Sequence, residues 1–146
     1  MKYTLRSARE TDDEAIRKLI HSAGINPLGL DWRRFIVAVD DRDRVIGTGQ
    51  IKPHGKDVRE LASITVLPEY QRQGLARAII EHLLRDSPRP LYLTCISSLG
   101  PLYERFGFKA VDYAEMPRFF QRISKLAGLV FLLANQGEHL LVMKLQ

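Results

Sequence analysis

The chain is 146 residues long, 45% hydrophobic and 27% charged, a balance that excludes a disordered or low-complexity protein. Its single cysteine, Cys95, excludes an intramolecular disulfide and therefore a disulfide-stapled fold. Lys and Arg number 22 against 17 Asp and Glu, a net charge of +5, but the basic residues are scattered, so the excess fits an anionic small ligand as readily as nucleic acid or a membrane surface.

The length suits one domain, residues 1–146, built on one core. Met1–Arg6 lacks the apolar stretch of a signal peptide. The longest apolar run, Leu126–Ala134, falls well short of the roughly 20 residues that span a bilayer. A cytoplasmic protein without membrane or nucleic-acid partners is expected.

Residues 2–8 alternate as a first strand. Thr11-Asp12-Asp13-Glu14 has the form of a capping box, with Thr11 as N-cap and Glu14 reaching back. The helix that follows gathers Ala15, Ile16, Leu19, Ile20 and Ala23 on one face, turns Arg17, Lys18 and His21 to water, and ends at Gly24. Asn26–Gly29 is a loop, with Trp32 just beyond it. Phe35–Val39 and Val45–Ile51 form a hairpin across Asp40–Asp43, a second turn at Pro53–Lys56 holds His54, and Val58–Val66 is the next strand.

Pro68 breaks that strand, and a polar turn leads through Gly74 into a helix with Leu75, Ala76, Ile79, Ile80, Leu83 and Leu84 on its apolar face. The first N–H groups of a helix have no internal partner and sit at the positive end of its dipole, so a glycine loop entering a helix suits a phosphate or pyrophosphate. Neither a Walker loop nor a dinucleotide fingerprint is present, and an ordinary strand-turn-helix connection has the same form. Leu91–Cys95 is a short apolar strand, which a strand-helix-strand crossover makes the parallel neighbour of Val58–Val66. Pro101–Arg105 forms a short helix, Lys109–Ala114 a strand, and Pro117 opens an amphipathic helix carrying Arg118, Arg122 and Lys125 beside Phe119, Ile123 and Leu126. His139–Leu145 reads as the last strand.

Gln71-x-x-Gly74-x-Ala76, preceded by an apolar strand and Val66-x-Pro68, resembles the acyl-CoA pyrophosphate loop of the GCN5-related N-acetyltransferases. Leu102-Tyr103-Glu104-Arg105-Phe106-Gly107-Phe108 resembles the second signature of that family. Two signatures in the right order are more specific than either alone, and the resemblance fades after residue 114.

The resemblance implies an α/β fold, with a mixed, mostly antiparallel sheet of about seven strands flanked by helices. It implies direct transfer of an acetyl group from acetyl-CoA to a primary amine on a small molecule or protein, with no metal. The alternative is a non-catalytic acyl-CoA-binding or sensing module with the same fold. By the same resemblance, Gln71, Arg72, Gln73, Gly74, Leu75 and Ala76 hold the pyrophosphate, mainly through backbone amides. The pantetheine arm pairs with the backbone of Ile64, Thr65 and Val66. Tyr103 stands where the family keeps the acid for the leaving thiolate, and Glu60 where many members keep a glutamate base. The strand carrying Glu60 often has a bulge in this family, which changes its facing.

His54 is a second base candidate by its side-chain chemistry, although a lone loop histidine is ordinarily solvated. His21, His82 and His139 are peripheral. Cys95 is expected as a packed strand residue rather than an acetyl carrier. The asparagine that many members place before the tyrosine helix is missing, and Ser97 and Ser98 stand in that loop. Trp32 borders the region where the family binds acceptors. Segment 115–135 is expected to carry acceptor specificity or homodimer contacts.

Overall fold

A computed structural model describes residues 2–134 and 137–146, leaving aside the side chains of 130–134. Its sheet has seven strands in the order β1-β2-β3-β4-β5-β7-β6. They are β1 Thr4–Ser7, β2 Phe35–Val39, β3 Val45–His54, β4 Val58–Val66, β5 Leu91–Ile96, β6 Lys109–Ala110 and β7 Leu140–Leu145. The helices are α1 Asp13–Ser22, α2 Leu75–Asp86, α3 Gly100–Glu104 and α4 Arg118–Ala134. The pairing of β4 with β5, through Glu60 and Tyr92, is parallel, whereas β1–β2, β2–β3, β5–β7 and β6–β7 are antiparallel. Among the described residues no helix is long and apolar enough to cross a membrane.

The chain groups into two compact units, one of Met1–Lys52 with Leu61–Ser87, the other of Pro53–Glu60 with Pro88–Gln146. In the first, successive β2 side chains alternate between the two faces of the sheet. Phe35, Val37 and Val39 pack with Ile16, Leu19 and Ile20 of α1 in one buried cluster. On the other face Gly47 and Gly49 leave room for α2. A Cβ on Gly49 would lie 2.6 Å from Ile79 Cγ2 and 2.9 Å from both Ile64 Cδ1 and Leu83 Cδ1. The helix therefore sits close on β3 because two alternate positions carry no side chain.

The start of α1 differs from the expected capping box. A single 3₁₀ turn, Glu10–Asp12, precedes the helix, and the carboxylate that reaches back is Asp12, accepting from Arg9 N–H at 2.7 Å. Arg6 donates to both Asp12 oxygens at 2.7 and 3.1 Å. That pair pulls the cap to Arg9, two residues before Thr11. Ala15 and Ala23, expected on the apolar face, are exposed.

In the second unit, Tyr92 and Val142 of the sheet enclose Phe120 of α4, with Val58, Met116 and Phe119 packed around them. β7 lies between β5 and β6, antiparallel to both. The expected strand to Ala114 is only Lys109–Ala110, because a 3₁₀ turn, Tyr113–Glu115, takes over before α4. Leu126 and Leu129 of α4 are 66% and 57% exposed. Val130, Phe131, Leu132 and Leu133 lie outside the described side chains, and residue 135 of segment 115–135 lies outside the described residues.

Candidate active site

The glycine loop belongs to the first unit. Pro68–Tyr70 forms a 3₁₀ turn after β4, and Gly74 caps α2 at φ 81° and ψ 9°, a left-handed conformation that glycine adopts without a Cβ penalty. A Cβ built on Gly74 would meet nothing within 4 Å, so the space in front of the helix start is open. Arg72 is also left-handed, at φ 63°. Both lie just before α2, whose first amides have no partner within the helix. Gln71 ties the loop down, its Nε2 donating to Val66 O at 3.0 Å. Leu75 is buried and offers a ligand only its backbone, whereas Arg72, Gln73 and Gly74 are exposed.

β4 carries the expected irregularity. Ser63 sits at φ 60°, its carbonyl accepts from Thr48 Oγ1 at 2.9 Å and its hydroxyl from Gln50 Nε2 at 2.8 Å. A left-handed residue breaks the two-residue alternation. Glu60 and Leu61 are both buried, as are Thr65 and Val66, while Ile64 is half-buried. Glu60 therefore does not simply share the facing of Ile64 and Val66.

Glu60 is 8% exposed and belongs with β5 in the second unit. His54 is not in a turn as expected from Pro53 and Gly55, because β3 extends through it and the turn begins at Gly55. This extension brings its Nε2 to 2.7 Å from Glu60 Oε1. Thr94 Oγ1 donates to the other oxygen, Oε2, at 3.4 Å. The His54 ring stacks on Phe119, with centroids 3.6 Å apart and planes at 19°, and meets Phe120 edge-on at 5.8 Å. The two candidate bases are thus one hydrogen-bonded pair in a largely aromatic wall. Burying an imidazole and a carboxylate is costly unless each partners the other.

The sequence reading missed Thr94, Phe119 and Phe120 as neighbours of this pair. Thr94 left a trace, as the one aliphatic hydroxyl in the run Leu91–Cys95. The phenylalanines left none, because only the packing of α4 brings them there.

Tyr103, on α3, is half-buried with its ring edge-on to Phe108. Burial pushes its phenol above the ordinary tyrosine value, and the neighbouring Cys95 adds to the rise. Burial likewise pushes the Cys95 thiol up, which disfavours the nucleophilic thiolate. Ser97 and Ser98, in the loop where the family keeps asparagine, are tied to the segment before β7. Ser97 Oγ accepts from His139 N–H at 3.2 Å, and Ser98 N–H donates to Glu138 Oε1 at 3.1 Å. Trp32 packs against the α1 cluster, with the Arg33 guanidinium 4.9 Å above its ring. Among the described residues no group of His, Cys, Asp and Glu is arranged to hold a metal ion.

Residues 31–110, more than half of the chain, match the model of the acetyltransferase (GNAT) domain. The chain belongs to the GNAT family. A curated relative of this GNAT domain, "Increased DNA methylation 1" from Arabidopsis thaliana, is 30% identical over 111 residues. That stretch covers 72% of this chain but only 9% of the plant protein. Among solved structures, N-acetylglutamate synthase from Neisseria gonorrhoeae, complexed with coenzyme A and N-acetyl-glutamate, superposes with a TM-score of 0.71 at 19% identity. The match covers 100% of this chain and 36% of the synthase. A GNAT-family acetyltransferase from Bacillus cereus gives 0.66 at 17% identity, covering 100% and 98%. These likenesses share the seven-stranded, mostly antiparallel mixed sheet flanked by helices.

Proposed function

We propose that this GNAT domain, residues 1–146 acting as one, transfers an acetyl group from acetyl-CoA directly to a primary amine. The observation that carries the reading is the part-buried His54–Glu60 pair at 2.7 Å, in a chain that also carries the family's glycine loop. A module that only binds acyl-CoA has no need for such an acid-base pair.

Acetyl-CoA brings the thioester whose acetyl group is transferred. The chain's own features fit such a donor, since the space in front of Gly74 is open and the amides of α2 beyond it are unpartnered by position. Gln71, Arg72, Gln73, Gly74, Leu75 and Ala76 hold the pyrophosphate in this reading, with Arg72 as the full positive charge, and Ile64, Thr65 and Val66 offer backbone to the pantetheine amides. Gln71 leaves Val66 O already engaged, so the arm pairs with the remaining groups.

An amine of lysine type has a pKa of about 10.4, so freeing its lone pair at pH 7 costs about 4.6 kcal/mol. The Glu60 centre removes that proton. Departure of the thiolate is assisted by Tyr103. Handing a phenol proton to a free thiolate is uphill by roughly 2 kcal/mol from the ordinary values. The raised value of Tyr103 adds to that, so the residue acts mainly as a hydrogen-bond donor to the leaving sulfur.

The acceptor is an amine on a small molecule or a protein. Incubation with acetyl-CoA and a library of amines, amino acids, polyamines and peptides tests the reading, with free thiol and acetylated product as readouts. Binding of CoA without thiol release from any acceptor would leave only the sensing module, and no CoA binding would end both readings.

A further inference from the structure

We infer that His54, rather than Glu60, takes the proton from the acceptor amine, at Nδ1, and that Glu60 is the positioning residue behind it. This rests on the transferase reading above and divides the work within the pair.

A separation of 2.7 Å between Nε2 and Oε1 needs a proton between two atoms that otherwise both present lone pairs. With the carboxyl ionised, that proton resides on Nε2. A histidine's free nitrogen is set by the hydrogen bond that the other one makes, so Nδ1 carries the lone pair. Both oxygens of Glu60 already accept within the protein, Oε1 from His54 and Oε2 from Thr94. Nδ1 has no protein partner among the described residues. It is not sealed either, because the one fully buried side-chain polar atom without a partner there is Gln50 Oε1. Each Glu60 oxygen thus already accepts one hydrogen bond, while Nδ1 is the basic atom of the pair left without a protein partner among the described residues, on a side chain that is 12% exposed. Phe119 fixes the ring plane by stacking and Glu60 fixes its rotation, so the direction of Nδ1 is set in advance.

The ammonium N–H bond of the acceptor breaks and an Nδ1–H bond forms, directly or through one water. The electron pair stays on the amine nitrogen, which attacks the acetyl carbonyl; the carbon–sulfur bond then breaks with its electrons on sulfur, and the second proton lost from the nitrogen ends on that sulfur, leaving amide and free thiol. His54 becomes imidazolium, its charge compensated by Glu60, and later returns the Nδ1 proton to water. A carboxylate that orients an imidazole and stabilises its charged form is a general device in proton transfer.

Four variants and one spectrum test this. His54→Ala is expected to lower kcat by about a hundredfold or more, the scale of a lost general base, with the KM for acetyl-CoA unchanged. Imidazole in the medium should restore part of it. Glu60→Gln keeps a carbonyl for Nε2–H and should lose only about tenfold, whereas Glu60→Ala loses orientation as well and should approach His54→Ala. In the wild-type protein, nitrogen-15 NMR of His54 should report the Nε2–H tautomer, and Glu60→Ala should abolish that preference. His54→Asn keeps a polar side chain at the site, and recovery of stability without recovery of kcat supports the role if His54→Ala folds poorly. Equal loss in Glu60→Gln and Glu60→Ala, with His54→Ala near wild type, would make Glu60 the base. An Nδ1–H tautomer in the wild-type protein overturns the inference outright. Failure of the transferase reading looks different: no acceptor is acetylated, the Nε2–H tautomer persists, and the base role falls with the activity.

Discussion

Replacing Gly74 with alanine separates the loop's conformational demand from its binding role. The residue sits at φ 81°, where a Cβ costs roughly 1–2 kcal/mol relative to glycine. No atom lies within 4 Å of the position that Cβ would occupy, so no steric cost from inside the protein is added. For a chain of this length, a loss of about 1 kcal/mol lowers Tm by roughly 2–4 °C. The same methyl projects into open space, which in the proposed reading is where the pyrophosphate approaches the helix amides. CoA affinity should therefore fall at least about tenfold, roughly 1.4 kcal/mol, on top of the stability change. Gly49→Ala is the control. Its Cβ would press on Ile79, Ile64 and Leu83 at 2.6–2.9 Å, and overpacking should cost about 1–3 kcal/mol. CoA titration by calorimetry and a thermal melt, run on both variants, read the two effects separately. If Gly74→Ala keeps wild-type CoA affinity while losing stability, the loop is an ordinary helix start and the pyrophosphate assignment is wrong.

Other expectations follow from the remaining geometry. Arg6 hydrogen bonds, with the Arg9 amide behind them, hold the Asp12 carboxyl below the usual carboxylate range despite its burial. Its stabilisation is present above the unfolded value of about 3.9 and is lost as pH falls through the lower folded value. Asp12→Asn should therefore cost about 1–3 kcal/mol in urea unfolding at pH 7, with the gap to wild type narrowing only below about pH 4; a constant gap down to pH 2 contradicts the assignment. Tyr103→Phe should reduce kcat about five- to tenfold, the worth of one hydrogen bond of about 1–1.5 kcal/mol, and an unchanged rate removes Tyr103 from the mechanism. Because the Tyr103 phenol is pushed above its ordinary value, wild-type turnover should show no loss from its ionisation below about pH 10. Cys95→Ala should keep turnover within about threefold, since a buried thiol with a raised pKa is a poor nucleophile; trapping of an acetylated Cys95 would show a two-step route instead.

Much of the fold was legible because local signals agreed with the tertiary arrangement. The run Phe35–Val39 is buried at every position, and the apolar face of α2 falls where its spacing put it. The crossover rule predicts β4 and β5 as parallel neighbours, as they are, and Gly74 marks the start of α2. The misreadings arose where a distant partner overrode a local rule. Thr11 and Glu14 form a good capping pattern, yet Arg6 claims Asp12 and moves the cap. Pro53 and Gly55 suggest a turn around His54, yet strand pairing carries β3 through it. In the site, residue types were legible and their association was not. Glu60 and His54 each appeared as a separate base candidate, because sequence spacing carries no record of a 2.7 Å hydrogen bond closed by a turn.

The place of β7 between β5 and β6 bears on how the second unit comes together. Both neighbours leave the ribosome before it, β5 from Leu91 and β6 at Lys109, with α4 in between. Until Leu140–Leu145 arrives, each has an unsatisfied edge where the last strand belongs, and exposed strand edges invite pairing with other chains. In the chain, α3 with Tyr103 lies between those two strands. This part of the sheet closes from the inside, and late, so sequence-distant pairing rather than local propensity governs how quickly it becomes competent.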